Sequence, residues 1–192
     1  MKQRASVFAS GTGSNFDAMM LDEKIASSIV LLVCDKPGAA VIKKAQAIGV
    51  ETLVLEPKKY ASKQEYEKVI AEKLQALEVE WIFLAGYMRL IGETLLSQYE
   101  GRIVNIHPSL LPDFPGKDAI GQAYRAGVSK TGVTIHYVDE GMDTGPIIAQ
   151  EEIERLPEET EEQLKTRIQA VEHRLYPNII NQLMENVTEE LS

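Results

Sequence analysis

Asn105 and His107 stand two apart in "NIHPSLLPDFPG", which closes an apolar run and carries three prolines in twelve residues. An asparagine amide can donate to an oxygen that is gaining negative charge, and an imidazole can carry a proton near neutral pH. Alternation along an extended segment puts both side chains on one face. The prolines then restrict the loop that leaves them. Such a pair suits proton transfer and charge stabilisation at a carbonyl, although a capped strand end with a hydrogen-bonded histidine explains the same residues equally well. Asp143, in "EGMDTGP", is an acid that could orient His107 and stabilise its charged form. An aspartate before Thr-Gly is also an ordinary turn former.

A second constellation is "SGTGSN" (Ser10–Asn15), between an apolar run and a helical pattern. Backbone N–H groups at such a turn, together with the helix dipole, attract phosphate. A dinucleotide site is the alternative, with Asp35 after the second apolar run as its acid. Against it, the third glycine of G-x-G-x-x-G falls on Phe16. No Gly-Lys-Ser/Thr follows, which excludes a Walker A loop. His136 lies inside an apolar run and reads as an ordinary hydrogen-bonded strand histidine. Ser109 sits in no nucleophile elbow, and the three histidines lack metal-ligand spacing. Neither a covalent serine mechanism nor a metal is indicated.

The elements that must position these groups alternate. Ala5–Ser10, Ile29–Cys34, Thr52–Leu55, Trp81–Gly86 and Arg102–Ile106 are short, nearly continuous apolar runs, as expected of strands buried on both faces of a parallel sheet. Helical patterns fall near 15–27, 39–48, 62–78 and 92–99, the third opened by a capping box from Ser62 to Glu65. After Gly116 a helix near 118–126 precedes two closely spaced strands, Gly132–Val138 and Gly145–Ile153, which favour an antiparallel pair. A long helix starts at Thr160, where Gln163 completes another capping box. The class is α/β: a doubly wound, mostly parallel sheet with an antiparallel C-terminal strand pair and a long C-terminal helix.

The chain has 192 residues, 44% hydrophobic, and a net charge of −9. That suits one domain with a sizeable core. The charge argues against nucleic-acid or anionic-membrane binding but leaves room for a local anion pocket. Cys34 is the lone cysteine, which excludes an internal disulfide. The N-terminus lacks a signal-peptide core and no run is long enough to span a bilayer, so a soluble cytoplasmic protein is expected.

Taken in order, "SGTGSNF", "LAGYMRL", "NIHPSLLPDFPG", "GVTIHYVDEGMDTGPIIAQ" and "RIQAVEHRLYP" resemble the folate-dependent phosphoribosylglycinamide formyltransferases over nearly the full chain. That resemblance implies a single formyltransferase domain over 1–192, with a nucleotide-binding half at about 1–100 and a folate and catalytic half at about 101–192. It implies formyl transfer from 10-formyltetrahydrofolate to the amine of glycinamide ribonucleotide in purine synthesis, without a metal. By the same resemblance Asn105, His107 and Asp143 match the catalytic trio. Gly13, Ser14 and Asn15 match the phosphate loop, and Gln169 and Glu172 the nucleotide side of the last helix, with Glu172 at the ribose hydroxyls. Met88, Arg89, Leu90 and Ile91 match the folate segment whose backbone reads the pterin-like ring. Arg89 and Lys63 face the folate's glutamate in this reading, Val138, Glu140 and Gly141 form the pocket's other wall, and Asn105 touches the folate as well. Some relatives have a histidine shortly after the "PG" of the loop, where this chain has Lys117 and Asp118.

Related activities share that folate site. Methionyl-tRNA formyltransferases normally add a C-terminal domain, and formyltetrahydrofolate deformylases an N-terminal one. Here the first strand begins within about five residues and the chain ends soon after its last helix. "QAVEH" favours a ribonucleotide acceptor over water. A non-catalytic nucleotide-binding module is the reading from another class; the presence of all three trio residues argues against it. Monomer and homodimer are both left open.

Overall fold

The computed structural model describes residues 2–190, with side chains to residue 187. Seven strands form one sheet in the order β3-β2-β1-β4-β5-β6-β7. They are β1 (Ala5–Ala9), β2 (Ile29–Cys34), β3 (Thr52–Val54), β4 (Trp81–Leu84), β5 (Ile103–His107), β6 (Lys130–Tyr137) and β7 (Ile147–Glu154). The first five are parallel, and β5–β6 and β6–β7 are antiparallel. The mostly parallel sheet with its antiparallel end is the architecture that the apolar runs imply.

Both faces of the central strands are covered, which is why those runs hardly alternate. In β1, Ala5, Val7 and Ala9 face one core and Phe8 the other; in β4, Trp81 and Phe83 oppose Ile82 and Leu84. Helices α1 (Ser14–Met20), α2 (Glu23–Ala26), α3 (Ala40–Ala47) and α7 (Glu161–Glu190) contribute to the first core. Helices α4 (Lys63–Ala76) and α5 (Glu93–Gln98) contribute to the second. Each large side chain buried this way contributes about 1.5–3 kcal/mol. Edge strand β3 is only half-buried along its length.

One helical pattern is divided. The expected helix over 15–27 breaks at Leu21–Asp22, because the Asp22 carboxylate accepts from the Lys24 and Ile25 amides and starts α2 instead. At α4 the capping box is half formed: Ser62 Oγ accepts from the Glu65 amide, while the Glu65 carboxylate takes the Ala61 amide rather than that of Ser62. At α7 it is complete, with Thr160 and Gln163 bonded reciprocally at 3.0 and 3.1 Å. Helix α6 (Ala119–Arg125) packs on α7. Buried Tyr176 of α7 donates to the carbonyls of Leu84 and Val104, so α7 is clipped to the two strands that carry the site. Among the described residues, no helix is long and apolar enough to cross a membrane.

Candidate active site

Strand order reverses between β1 and β4, so the loops leaving their carboxyl ends diverge and open a crevice. The glycine turn forms one lip. Gly13 has φ 78°, a left-handed conformation that glycine adopts without penalty. A Cβ there would lie 2.6 Å from Val41 Cγ2 and 3.2 Å from Val41 Cα. The turn therefore packs against α3 and delivers Ser14 and Asn15 as the first residues of α1, whose opening amides have no acceptor within the helix.

Helix α7 runs beside α1 and brings residues 157 positions apart into contact: Asn15 Nδ2 donates to Glu172 Oε2 at 3.1 Å. Glu172 is buried, and burial pushes its carboxyl up from 4.5 to about 7 although the Asn15 hydrogen bond opposes the rise. Asn15 Oδ1 is buried without a protein partner. A buried acceptor beside a carboxylate near its titration point is complementary to a ligand with hydroxyl donors. Gln169, half-buried, lies three residues before Glu172 on α7 and thus on the same side of that helix.

The second lip is the end of β5. Ile103 packs in one core and Val104 and Ile106 in the other, so Asn105 and His107 share a face by alternation. Asp143 comes from the loop between β6 and β7, at φ 56°. Its Oδ2 lies 3.5 Å from His107 Nδ1 and accepts from the Gly116 amide at 2.8 Å. Burial works against ionisation of Asp143, but the nearby His136 imidazole, the hydrogen bond from the Gly116 amide and the charge of His107 outweigh it and hold its carboxyl below the usual range. His107 Nε2 donates to the Phe114 carbonyl at 2.8 Å. Each ring nitrogen of His107 therefore faces an oxygen, the Asp143 carboxylate at Nδ1 and the Phe114 carbonyl at Nε2.

His136, expected to be an ordinary strand histidine, touches two of the three. It lies opposite Asn105 in the β5–β6 register. Its Nδ1 donates to the Tyr137 carbonyl at 2.8 Å, leaving Nε2 to accept from Asn105 Nδ2 at 3.3 Å. The same Nε2 is 3.6 Å from Asp143 Oδ1, too long for a hydrogen bond. A proton on that nitrogen would turn the contact from Asn105 to Asp143. The signal for it was present in "GVTIHYV": Thr134 and His136 are polar at alternate positions of a buried strand. Thr134 does the matching job for the loop, donating to the Ser109 carbonyl and accepting from the Leu111 amide. Ser109 itself donates to the Asp113 carbonyl, so it shapes the loop.

The remaining candidates follow β4 and the β6–β7 loop. Met88, Arg89 and Leu90 are exposed and Ile91 enters the second core. Arg89 lies over the Tyr66 ring, its Cζ 5.6 Å from the centroid. Lys63 opens α4 and is exposed; its Cε borders Gly92. Across from them, the Val138 amide donates to the Ile103 carbonyl. Asp139 holds the loop by accepting from the Gly141 amide and Thr144 hydroxyl, with Glu140 exposed between. Lys117 and Asp118 form no part of the cluster; Asp118 pairs with Arg125. Asp35 is buried and bonded to the Ser10 hydroxyl at 2.6 Å, which removes it as a ribose-binding acid of a dinucleotide site. Among the described residues, no group of three or more His, Cys, Asp or Glu could hold a metal.

The formyl transferase family model matches residues 3–180. The chain is 55% identical to the phosphoribosylglycinamide formyltransferase of Bacillus subtilis (strain 168), across 95% of each chain. The solved glycinamide ribonucleotide transformylase 1 of Geobacillus kaustophilus superposes with a TM-score of 0.92 at 57% identity, covering 96% of this chain and 100% of that one. The trifunctional purine biosynthetic protein adenosine-3 of Drosophila melanogaster is 38% identical over 95% of this chain but only 14% of its own length.

Proposed function

Because the chain belongs to the formyl transferase family, we infer that it transfers a formyl group from 10-formyltetrahydrofolate to the amine of glycinamide ribonucleotide. The products are formylglycinamide ribonucleotide and tetrahydrofolate, a step of purine synthesis. The folate is the formyl-donor co-substrate. The observation that carries the choice of acceptor is the pairing of Asn15 with the buried Glu172 beside the glycine turn. A water acceptor has no use for it, whereas a ribonucleotide offers phosphate to the Gly13–Asn15 amides and hydroxyls to Glu172, with Gln169 beside it.

Asn105, His107 and Asp143 then act on the formyl carbon. The neutral substrate amine attacks it, and the carbonyl oxygen gains charge. The Asn105 amide has two hydrogens: one is held by His136, and the other is available to the oxyanion. His107 becomes a second donor when that oxyanion replaces the Phe114 carbonyl at Nε2. Asp143, fixed by the Gly116 amide, favours the charged form of the ring and positions it or a water to carry the proton lost by the attacking amine towards the leaving folate nitrogen. Collapse of the tetrahedral intermediate expels the folate nitrogen, which takes up that proton; no covalent enzyme intermediate is needed. On the folate side, Met88–Ile91 and the Val138–Gly141 loop frame the ring, and Lys63 and Arg89 supply positive charge for the glutamate tail. A single buried cysteine, Cys34, suits a reducing cytoplasm.

Formyl transfer assayed with and without glycinamide ribonucleotide tests the reading. Tetrahydrofolate production that depends on the ribonucleotide supports it. Formate release without acceptor would instead make the chain a deformylase, and ligand binding without turnover a non-catalytic module.

A further inference from the structure

Two buried polar side chains at the crevice have no part in the mechanism above. Ser10 follows β1 and is 4% exposed; Asp35 follows β2 and is 6% exposed. The Ser10 hydroxyl donates to Asp35 Oδ1 at 2.6 Å and accepts from the Met88 amide at 2.9 Å. A backbone N–H only donates, so Ser10 Oγ accepts from Met88 and turns its single hydrogen to Asp35. The Ser10 amide adds a second tie, donating to the Gly86 carbonyl at 3.2 Å.

These bonds cross the point where β1 and β4 part and the sheet ladder no longer holds the loops. Between Gly86, at φ 75°, and Ile91 only Tyr87 packs inward, against Phe8 and bonded to the Tyr66 hydroxyl, while Met88 is 53% exposed and Leu90 46%. Its path across the crevice is set where it is anchored, by the Tyr87 ring and Ile91 on the core and by the Met88 amide between them. With its N–H already given to Ser10, Met88 presents to the crevice a backbone edge whose orientation depends on that hydroxyl. The hydroxyl's own orientation depends on the carboxylate behind it.

We propose that Asp35 is a positioning residue for the folate co-substrate, acting through Ser10 to fix the Met88 amide and with it the backbone edge that reads the pterin-like ring. The proposal rests on the formyl-donor reading above. Asp35 itself touches neither ligand.

The test compares Asp35→Ala, Asp35→Asn and the paired replacement Ser10→Ala with Asp35→Ala. The paired variant removes both buried polar partners together, which spares the fold the cost of an orphaned charge. The readouts are the Kd for 5-formyltetrahydrofolate by calorimetry, kcat, the KM of each substrate, and Tm. Loss of a hydrogen bond to a charged group should raise the folate Kd and KM about ten- to a hundredfold in Asp35→Ala and in the paired variant. The ribonucleotide KM should stay within about threefold, and Asp35→Asn, which keeps an acceptor oxygen, should restore folate affinity to within about threefold. An unchanged folate Kd in the paired variant overturns the proposal, as does an equal rise in both KM values alongside a lower Tm. If the unmodified protein binds no folate and transfers no formyl group, the functional reading fails and the positioning role with it. Normal folate binding in all variants of an active enzyme defeats the positioning role alone.

Discussion

Replacing Glu172 with Gln should make the protein more stable in alkaline solution while weakening its grip on the ribonucleotide. Burial raises the Glu172 carboxyl from 4.5 to about 7. Below pH 4.5 the group is protonated whether the chain is folded or not, and it has no effect on stability. Between 4.5 and about 7 the unfolded chain ionises while the folded one keeps its proton, so stability falls as pH rises. Above about 7 both forms are ionised and the deficit is constant. That interval corresponds to about 3 kcal/mol at roughly 1.4 kcal/mol per pH unit. Glutamine does not ionise and keeps an oxygen for the Asn15 amide, so Glu172→Gln should match the unmodified protein at pH 4.5 and exceed it by about 3 kcal/mol at pH 8. For a chain of this size that is a Tm difference of about 6–12 °C, absent in acid and present in base. Thermal denaturation followed by circular dichroism at both pH values measures it. With Glu172 in its proposed place at the ribose hydroxyls, the ribonucleotide KM should rise about tenfold, since a charged acceptor becomes a neutral one. A stability difference that is the same at both pH values would refute the reasoning, because it would mean that the buried carboxyl does not titrate between them.

Two further substitutions probe the lips of the crevice. Gly13→Val forces a β-branched residue into a left-handed turn and drives its Cβ onto Val41, a strain of about 2–4 kcal/mol that moves the glycine turn proposed to hold the phosphate; the ribonucleotide KM should rise with folate affinity nearly intact, and equal losses for both ligands would indicate a general folding defect. His136→Ala releases the Asn105 amide and should lower kcat about ten- to a hundredfold with both KM values near normal, as steady-state kinetics would show; an unchanged kcat would mean that Asn105 needs no partner on β6.

The sheet could be read from the sequence because burial on both faces leaves a visible mark: "IVLLVC" and "WIFL" have no polar alternation for a one-sided strand. The division of α1 from α2 could not, since Asp22 acts through its own side chain within a pattern that otherwise continues. Asn105 and His107 could be placed on one face from their spacing. Their company could not, because the β5–β6 register that sets His136 opposite Asn105 depends on the length and path of the intervening loop. The partners that hold His107 and Asp143 are backbone groups, the Phe114 carbonyl that accepts from His107 and the Gly116 amide that donates to Asp143, and side-chain identities carry no trace of them. Asp35 was misleading for a related reason: at a strand end it resembles a ribose-binding acid until the Ser10 hydroxyl is seen to occupy it.

The proposed chemistry requires Asp143 and His107 to work as a unit, with Oδ2 and Nδ1 3.5 Å apart in the folded protein. The most direct measurement is a double-mutant cycle on the single-turnover rate of formyl transfer, using Asp143→Asn, His107→Ala and the two together, with the fold of each checked by circular dichroism. Each single change should slow transfer by roughly 100- to 1,000-fold. The double variant should be only slightly slower than the worse single one, since groups that act together are grossly non-additive. A double variant whose loss equals the product of the two single losses would contradict the coupled pair and leave Asp143 and His107 as independent contributors.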